Sequence, residues 1–289
     1  MAAFADLHVA STDQQVLQDV FQTAIKLGFD WLAVNTFLTD LKGKGKKGQQ
    51  QNHICQPEPV QLTEQTRQLL KVEGRNVRQI SRLTALLDDT TNTHKLVSPE
   101  VQAFDLLAVQ PTNEAAFKLA CCTLEVDIIV LNMTEKLSFY IKRPLVNLAI
   151  ERGMHFEILY SPAVRDSTFR QNTISNALQL TSVCKGKNVI VSSGCEKAIE
   201  LRGPYDLSNL GLLFGLSSPQ SKDAVSKNCR AVLKHAEARK MMKSVVGVVK
   251  SSQLLPGDQW ILDSKRPLST LQQTTHKEAE QPPAKKGKT

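Results

Sequence analysis

Asp6 and His8 form a D-x-H pair in the first apolar segment, and residues of these types can hold a metal ion. In a strand, residues two apart point to the same side, so both side chains would face one site. A hydrolytic metal centre needs several histidines and carboxylates. Asp88 and Asp89 follow a later strand, but the other histidines lie at a strand start, in loops, at a helix end or in the tail. The pair alone is a poor metal site, and a structural role for His8 is the default.

Nucleophilic catalysis has little support in the sequence. The run Ser192-Ser193-Gly194 lacks the G-x-S-x-G context of a nucleophile elbow. None of the six cysteines belongs to a C-x-x-C pair or has an obvious histidine partner. They are typical of reduced thiols in a cytosolic or nuclear protein.

Cations beside predicted helix starts suit a different chemistry, the binding of phosphates. Lys142 and Arg143 come just before one helix, and Arg165 and Arg170 flank another. Helix N-termini carry unpaired N–H groups and the positive end of the helix dipole, and arginine offers a planar fork for phosphate oxygens. The predicted residues for binding RNA or a partner are Lys136, Lys142, Arg143, Arg165, Arg170, Lys187, Ser192, Ser193 and Arg202. The set is interpreted as lying on one rim of the fold.

The alternative for each of these residues is ordinary helix punctuation. Asp166 would cap the helix that follows it and pair with Arg170 at i+4, and Ser161 and Ser167 would shape the turn.

The positive charge of the chain is concentrated in segments. The net charge is +8, yet residues 136–202 hold ten Lys/Arg against five Asp/Glu, and residues 234–289 hold eleven against five. Residues 40–56 add four lysines against Asp40. A local basic excess indicates attraction to an anion, of which nucleic acid is the first candidate and a membrane surface the second. No apolar run is long enough to span a membrane.

The elements that must position these residues alternate between strands and helices. Strands are predicted at 4–9, 31–38, 78–88, 104–111, 127–133, 155–162 and 188–194. Helices are predicted at 13–28, 113–122, 144–152, 167–184, 205–214 and 218–240. Apolar strands between helices indicate a parallel sheet covered by helices, either a closed barrel or an open sheet. No G-x-G-x-x-G follows the first strand, and the number of units favours a (β/α) barrel.

Two segments interrupt this pattern. A Lys/Gly/Gln-rich stretch at about 40–57 is predicted to be an insertion without periodicity. Beyond residue 240 the pattern dissolves into a polar tail that ends in PPAKKGKT, predicted to be mostly disordered. The expected organisation is therefore a barrel domain at 1–240 and a basic tail at 241–289.

The sequence resembles the TIM-barrel protein subunit of eukaryotic ribonuclease P and RNase MRP, a family of about thirty kilodaltons with archaeal relatives. The similar stretches cover most of residues 1–240: FADL (4–7), TEKLSFYIKRPLVNLAIERGMHFEILYSPAVRDSTFRQNTISNAL (134–178), CKGKNVIVSSG (184–194), ELRGPYDLSNLGLLFGLS (200–217) and AVSKNCRAVLKHAEARK (224–240). The resemblance implies an α/β fold, a TIM-like barrel related to the polymerase and histidinol phosphatase (PHP) barrels, whose enzymes gather metals with several histidines.

The resemblance also implies a function without catalysis by this chain. It would be a structural subunit of a nuclear, nucleolar ribonucleoprotein whose RNA, with Mg²⁺, removes the 5′ leader of precursor tRNA, and of the related particle that processes precursor rRNA. The implied partners are that RNA, a small RRM-like subunit and its paralogue, and a large scaffold subunit; a second copy of the chain in the particle is left open. No cofactor of its own and no membrane are expected. The alternative is a metal-dependent phosphoesterase of the PHP type that uses Asp6 and His8.

Overall fold

The computed structural model describes residues 3–241 apart from 11–12, 40–59, 61–62, 65, 67, 69–76, 90 and 92. The predicted insertion at 40–57 and the predicted tail beyond Met241 lie outside the described residues.

Seven strands form one sheet whose spatial order follows the chain order, with every neighbouring pair parallel. The strands are β1 Ala5–Val9, β2 Trp31–Leu38, β3 Arg78–Leu87, β4 Leu106–Pro111, β5 Ile128–Val130, β6 His155–Leu159 and β7 Val189–Ser192. All seven coincide with predicted strands, because parallel strands buried on both faces read as apolar runs between helices.

Helices lie between and after these strands in the described part of the chain. They are α1 Gln14–Leu27, α2 Pro99–Gln102, α3 Glu114–Cys122, α4 Arg143–Glu151, α5 Ser161–Arg165, α6 Ser167–Cys184, α7 Pro204–Leu213, α8 Ser218–Ala224 and α9 Lys227–Lys240. Short 3₁₀ turns occupy Thr93–Val97 and Ala198–Glu200. No described helix is long and apolar enough to cross a membrane.

The sheet curls until its two edges nearly meet. Beyond the end of β7, Val9 and Cys195 form an isolated parallel bridge. The amide of Gly194 donates to the His8 carbonyl at 2.8 Å, and the amide of Ala10 donates to the Cys195 carbonyl at 2.8 Å. Hydrogen bonds between the first and the last strand are what distinguish a barrel from an open sheet. The fold is therefore a nearly closed seven-stranded parallel barrel, as predicted.

Helix α9 lies across the amino-terminal ends of the strands. The Asn228 amide donates to the Val189 carbonyl at the start of β7, at 2.7 Å. His235 and Arg239 bind the buried carboxylate of Asp127, just before β5. The apolar side of α9 packs on Ala5, Leu7 and Ile190 and on other buried strand residues. This helix closes one end of the barrel, and the carboxyl ends of the strands form the other.

The prediction of one long helix at 218–240 is wrong, because the structure has two helices there, α8 and α9. The carbonyl of Val225 accepts a hydrogen bond from the amide of Ala5 at 3.2 Å, which fixes it to the start of β1. The Ser226 hydroxyl donates back to the Lys222 carbonyl at 2.6 Å. A tertiary contact thus breaks the helix at a point where the sequence has neither glycine nor proline.

The predicted strand at 155–162 also runs too far. β6 ends at Leu159, and the short helix α5 begins at Ser161 with Pro162 in its first turn. Proline is favoured there because its missing N–H has no partner to lose.

Candidate nucleic-acid interface and barrel interior

Arg82 and Glu157 form a buried ion pair inside the barrel. The two terminal guanidinium nitrogens of Arg82 lie 2.7 and 2.6 Å from the two carboxylate oxygens of Glu157, and both side chains are completely buried. The guanidinium also donates to the Leu7 carbonyl at 2.6 Å and to the Thr84 hydroxyl at 3.2 Å. The two residues come from β3 and β6, so the pair ties distant strands together across the interior.

His8 belongs to the same cluster as a neutral ring. Its Nδ1 lies 3.1 Å from a Glu157 carboxylate oxygen. Burial, together with the nearby Arg82 guanidinium, holds the pKa of His8 below its usual value. Burial alone would raise the pKa of Glu157, but Arg82 and His8 hold it well below the usual range. A neutral His8 therefore donates its Nδ1–H to an ionised Glu157.

Asp6 is buried beside this cluster with an incomplete set of partners. Its Oδ1 accepts from the backbone amides of Ser193 at 3.0 Å and His8 at 3.2 Å, whereas its Oδ2 has no hydrogen-bond partner in the structure. Burial raises the pKa of Asp6 to about 6, against the opposing effect of the bonds from Ser193 and His8. Asp6 and His8 are thus neighbours, but through the backbone of His8 rather than by two side chains aimed at one ion.

These residues do not fit the metal centre of the alternative function, a phosphoesterase that uses Asp6 and His8. The Arg82 guanidinium already lies against Glu157, so a fixed cation is present where a metal would need the carboxylate. Among the described residues, no group of three or more His, Cys, Asp and Glu side chains could hold a metal ion. Burial also raises the pKa of the Cys121 and Cys195 thiols to about 12, so neither is an activated nucleophile.

Asp6→Asn is expected to stabilise the protein above about pH 6. The pKa of Asp6 is higher in the folded protein than in the unfolded chain. The stability that protonated Asp6 contributes is therefore fully present below pH 3.8 and is lost as the pH rises through about 6. Asparagine keeps the acceptor for the two amides and removes the buried charge. The expected gain in the free energy of unfolding is about 2–3 kcal/mol at about pH 7.5 and close to zero at about pH 4. Urea unfolding at both pH values measures it, and an equal gain at both would contradict the explanation.

The arginines around α6 are engaged within the molecule. Arg165 pairs with Glu196 at 2.7 Å and with Glu200 at 3.1 Å, while about a third of its side chain remains exposed. Arg170 donates to the Ala163 carbonyl at 2.9 Å and so binds the carboxyl end of α5. Asp166 caps α6 by accepting from the amides of Thr168 at 2.7 Å and Phe169 at 3.0 Å, as predicted.

Two further predicted residues have local partners. Lys142 forms an exposed ion pair with Glu114 at 2.5 Å. Exposed pairs of this kind contribute little and can be exchanged for a phosphate. Arg202 donates to the carbonyls of Ile199 and Leu201 at 2.8 and 2.9 Å.

Ser192 and Ser193 are completely buried, so their side chains are not on a surface that RNA or a partner could reach. The Ser193 hydroxyl donates to the His8 carbonyl at 2.9 Å and thereby helps to close the barrel. Their prediction as contact residues is corrected in this respect. The sequence places them at a strand end, but only the nearly closed barrel shows that this end is enclosed.

Lys136, Arg143 and Lys187 are exposed, and their side chains make no ion pair or hydrogen bond within the described part of the chain. Lys136 lies between β5 and α4, and Arg143 is the first residue of α4, at the carboxyl end of the barrel. Lys187 precedes β7 and lies at the opposite, amino-terminal end. The prediction that all the cations share one rim is therefore wrong for Lys187.

The loop between β5 and α4 carries Lys136 and ends next to Arg143, and hydrogen bonds from α6 hold it in place. The side-chain amide of Asn176 on α6 donates to the backbone carbonyls of Met133 at 3.1 Å and Glu135 at 2.7 Å. The side-chain amide of Asn172 donates to the Thr134 carbonyl at 2.8 Å. Tyr140, in the same loop, is 67% exposed, and it was not among the predicted site residues. An aromatic residue among cations is the sequence signal that could have identified it.

Arg82 and Glu157 were likewise absent from the predicted site, although each is a charged residue within a predicted strand.

A family model described as RNase P subunit p30 matches residues 3–241. The chain belongs to the RNase P subunit p30 family. It is 45% identical over 253 residues to the mouse "Ribonuclease P protein subunit p30", covering 86% of this chain and 92% of the mouse protein.

Two further comparisons show lower similarity. The chain is 25% identical over 181 residues to the Saccharomyces cerevisiae "Ribonuclease P/MRP protein subunit RPP1", covering 63% of this chain and 61% of the yeast protein. A chain in a "cryo-EM structure of archaeal Ribonuclease P with mature tRNA" is similar with a TM-score of 0.57 at 13% identity, covering 85% of this chain and 98% of that chain. At this identity the likeness shows the fold alone.

Proposed function

We propose that this chain is a non-catalytic structural subunit of the ribonuclease P ribonucleoprotein and of RNase MRP. The observation that carries the proposal is the buried Arg82–Glu157 pair in a p30-family barrel. The pair fills the interior with its own cation and carboxylate, so the barrel supports a fold rather than a metal-dependent reaction. Cleavage of precursor tRNA, and processing of precursor rRNA in RNase MRP, then fall to the RNA with its Mg²⁺.

The loop between β5 and α4 is the RNA contact that we propose at the carboxyl end. It carries Lys136, the weakly paired Lys142 and the exposed ring of Tyr140, and Arg143 follows it as the first residue of α4. Lys136 and Arg143 form no ion pair with any described residue. Cations neutralise phosphates, and an exposed aromatic ring can stack on an unpaired base. Arg165, Arg170 and Arg202 are proposed as secondary contacts, because their guanidinium groups are partly engaged by the protein itself.

The protein partners belong to the same proposal. A small RRM-like subunit and its paralogue, a large scaffold subunit and a second copy of the chain are the candidates, in a nucleolar particle. The exposed apolar side chains of Leu212 and Leu213 at the end of α7 offer surface for such a contact.

Lys136→Glu combined with Arg143→Glu is expected to weaken binding of the RNase P RNA while the barrel stays folded. The logarithm of the binding constant falls linearly with the logarithm of the salt concentration, and each phosphate contact adds about one to the steepness of this slope. The variant removes two such contacts, so the slope should become shallower by about two. Filter binding of the purified chain over a range of salt concentrations measures it. The control is Lys26→Glu with Lys118→Glu, which changes the net charge equally. Equal slopes for both variants and the unmodified chain would contradict this RNA contact.

A further inference from the structure

A second basic surface lies at the amino-terminal end of the barrel, opposite the loop between β5 and α4. It is formed by the turn before β7, by α8 and by α9. We call it the amino-end surface, and its exposed cations are Lys185, Lys187, Lys222, Lys227, Arg230 and Lys234.

Helix α9 presents three of these cations on one side. Lys227, Arg230 and Lys234 are spaced by three and four residues and are exposed, whereas Cys229, Val232 and Ala236 are buried against the barrel. At 1.5 Å per residue, the stripe is about 10 Å long. The buried side fixes the orientation of the helix, so the cations point away from the barrel as a set.

Direct contacts join the turn before β7 to the two helices. The Gln220 side chain of α8 donates to the Lys185 carbonyl at 2.9 Å. The Asn228 side chain of α9 donates to the Val189 carbonyl at 2.7 Å, immediately after the turn. Lys185, Lys187 and Lys222 therefore extend the basic stripe of α9 into one continuous surface.

The cations of this surface are not held in ion pairs by the described part of the chain. Within the described residues, none of the six cationic side chains forms an ion pair or a hydrogen bond. Asp223 is half-buried among them, and Glu237 lies one turn beyond Lys234. At the carboxyl end, by contrast, Lys142 and Arg165 are held by carboxylates. Six cations that are unpaired within the described residues and lie on an ordered scaffold fit a polyanion.

We infer that the amino-end surface binds the phosphate backbone of an RNA segment, so that the barrel contacts RNA at both of its ends. The inference rests on the proposed function and adds a second contact to it. Neither helix carries Phe, Tyr or Trp, so the contact reads phosphates without base stacking and is indifferent to sequence. A barrel that binds RNA at both of its ends holds two segments of the folded RNA in a fixed relative position.

A photo-crosslinking residue at Ala231 tests the class of partner directly. Ala231 is exposed next to Arg230 and carries no charge, so its replacement leaves the cations in place. The tagged full-length chain is irradiated in cells, and its crosslinked products are identified. A crosslink to the RNase P RNA is the expected result. A crosslink to protein alone, or none in a chain that still co-purifies that RNA, would overturn the inference.

Arg230→Glu combined with Lys234→Glu supplies the quantitative test. The slope of RNA binding against salt is expected to fall by about two, and to fall further when Lys136→Glu and Arg143→Glu are added. Lys26→Glu with Lys118→Glu is again the charge-matched control, and equal thermal unfolding temperatures verify folding. A slope equal to that of the control would overturn the amino-end contact alone. No binding of RNase P RNA by the unmodified chain would instead overturn the proposed function.

Discussion

Arg82→Met is expected to lower the free energy of unfolding by about 3–5 kcal/mol, because it leaves the buried Glu157 carboxylate without its cation. Methionine fills much of the same volume, so the loss measures charge rather than a cavity. The Leu7 carbonyl and the Thr84 hydroxyl lose a donor in the same step, which adds to the cost. Urea unfolding of the purified chain at neutral pH measures the change.

The double variant Arg82→Met with Glu157→Gln separates the ion pair from its surroundings. It removes both charges and keeps a hydrogen-bond acceptor for His8. We expect it to recover at least half of the stability that Arg82→Met loses, because no unpaired charge remains buried. A double variant as unstable as the sum of the two single variants would show that the pair is not the reason for the loss.

Asp127→Asn is expected to have an effect of similar size, about 3–5 kcal/mol, and to release α9 from the end of the barrel. The buried carboxylate accepts from Arg239 at 3.0 Å, from His235 at 2.8 Å and from the Leu107 amide at 2.9 Å. Asparagine leaves the nearly buried guanidinium of Arg239 without a counter-charge. Hydrogen exchange should show reduced protection of the α9 amides before the rest of the barrel opens.

The matched control on the same helix is Lys240→Ala. Lys240 pairs with Asp105 at 2.9 Å, but the Asp105 carboxylate is half exposed. Surface pairs of this kind contribute at most about 1 kcal/mol. If Asp127→Asn and Lys240→Ala had equal effects on α9 protection, burial of the Asp127 pair would not be what holds the helix. The comparison also bears on the amino-end surface, whose stripe of cations depends on the position of α9.

Local sequence patterns were enough to predict the strands and most of the helices. The apolar runs of β2 and β5 and the Asp166 cap are local signals, and the structure confirms them. The break between α8 and α9 was not predictable in this way, because it depends on a hydrogen bond from Ala5, more than two hundred residues away.

The site shows the same division between local and distant information. Cations near helix starts were predicted from the sequence. The sequence does not show which of them form ion pairs or hydrogen bonds within the protein. Arg165 is neutralised by Glu196 and Glu200, which come from the segment after β7. Arg82 and Glu157 are separated by most of three βα units and meet only when the barrel closes. The local clue was a charged residue within each of the two predicted strands.

If this chain supports a reaction carried out by RNA, the cleavage activity that purifies with the chain depends on that RNA. The most direct measurement isolates the tagged full-length chain from cells at moderate salt and assays 5′-leader removal from precursor tRNA. Half of each sample is first treated with a calcium-dependent nuclease, which is then inactivated by chelation before Mg²⁺ and substrate are added. We predict that the untreated sample contains the structured RNA of ribonuclease P together with that of RNase MRP, and that cleavage disappears after nuclease treatment. Cleavage that survives the nuclease, or no such RNA with the chain, would contradict the account.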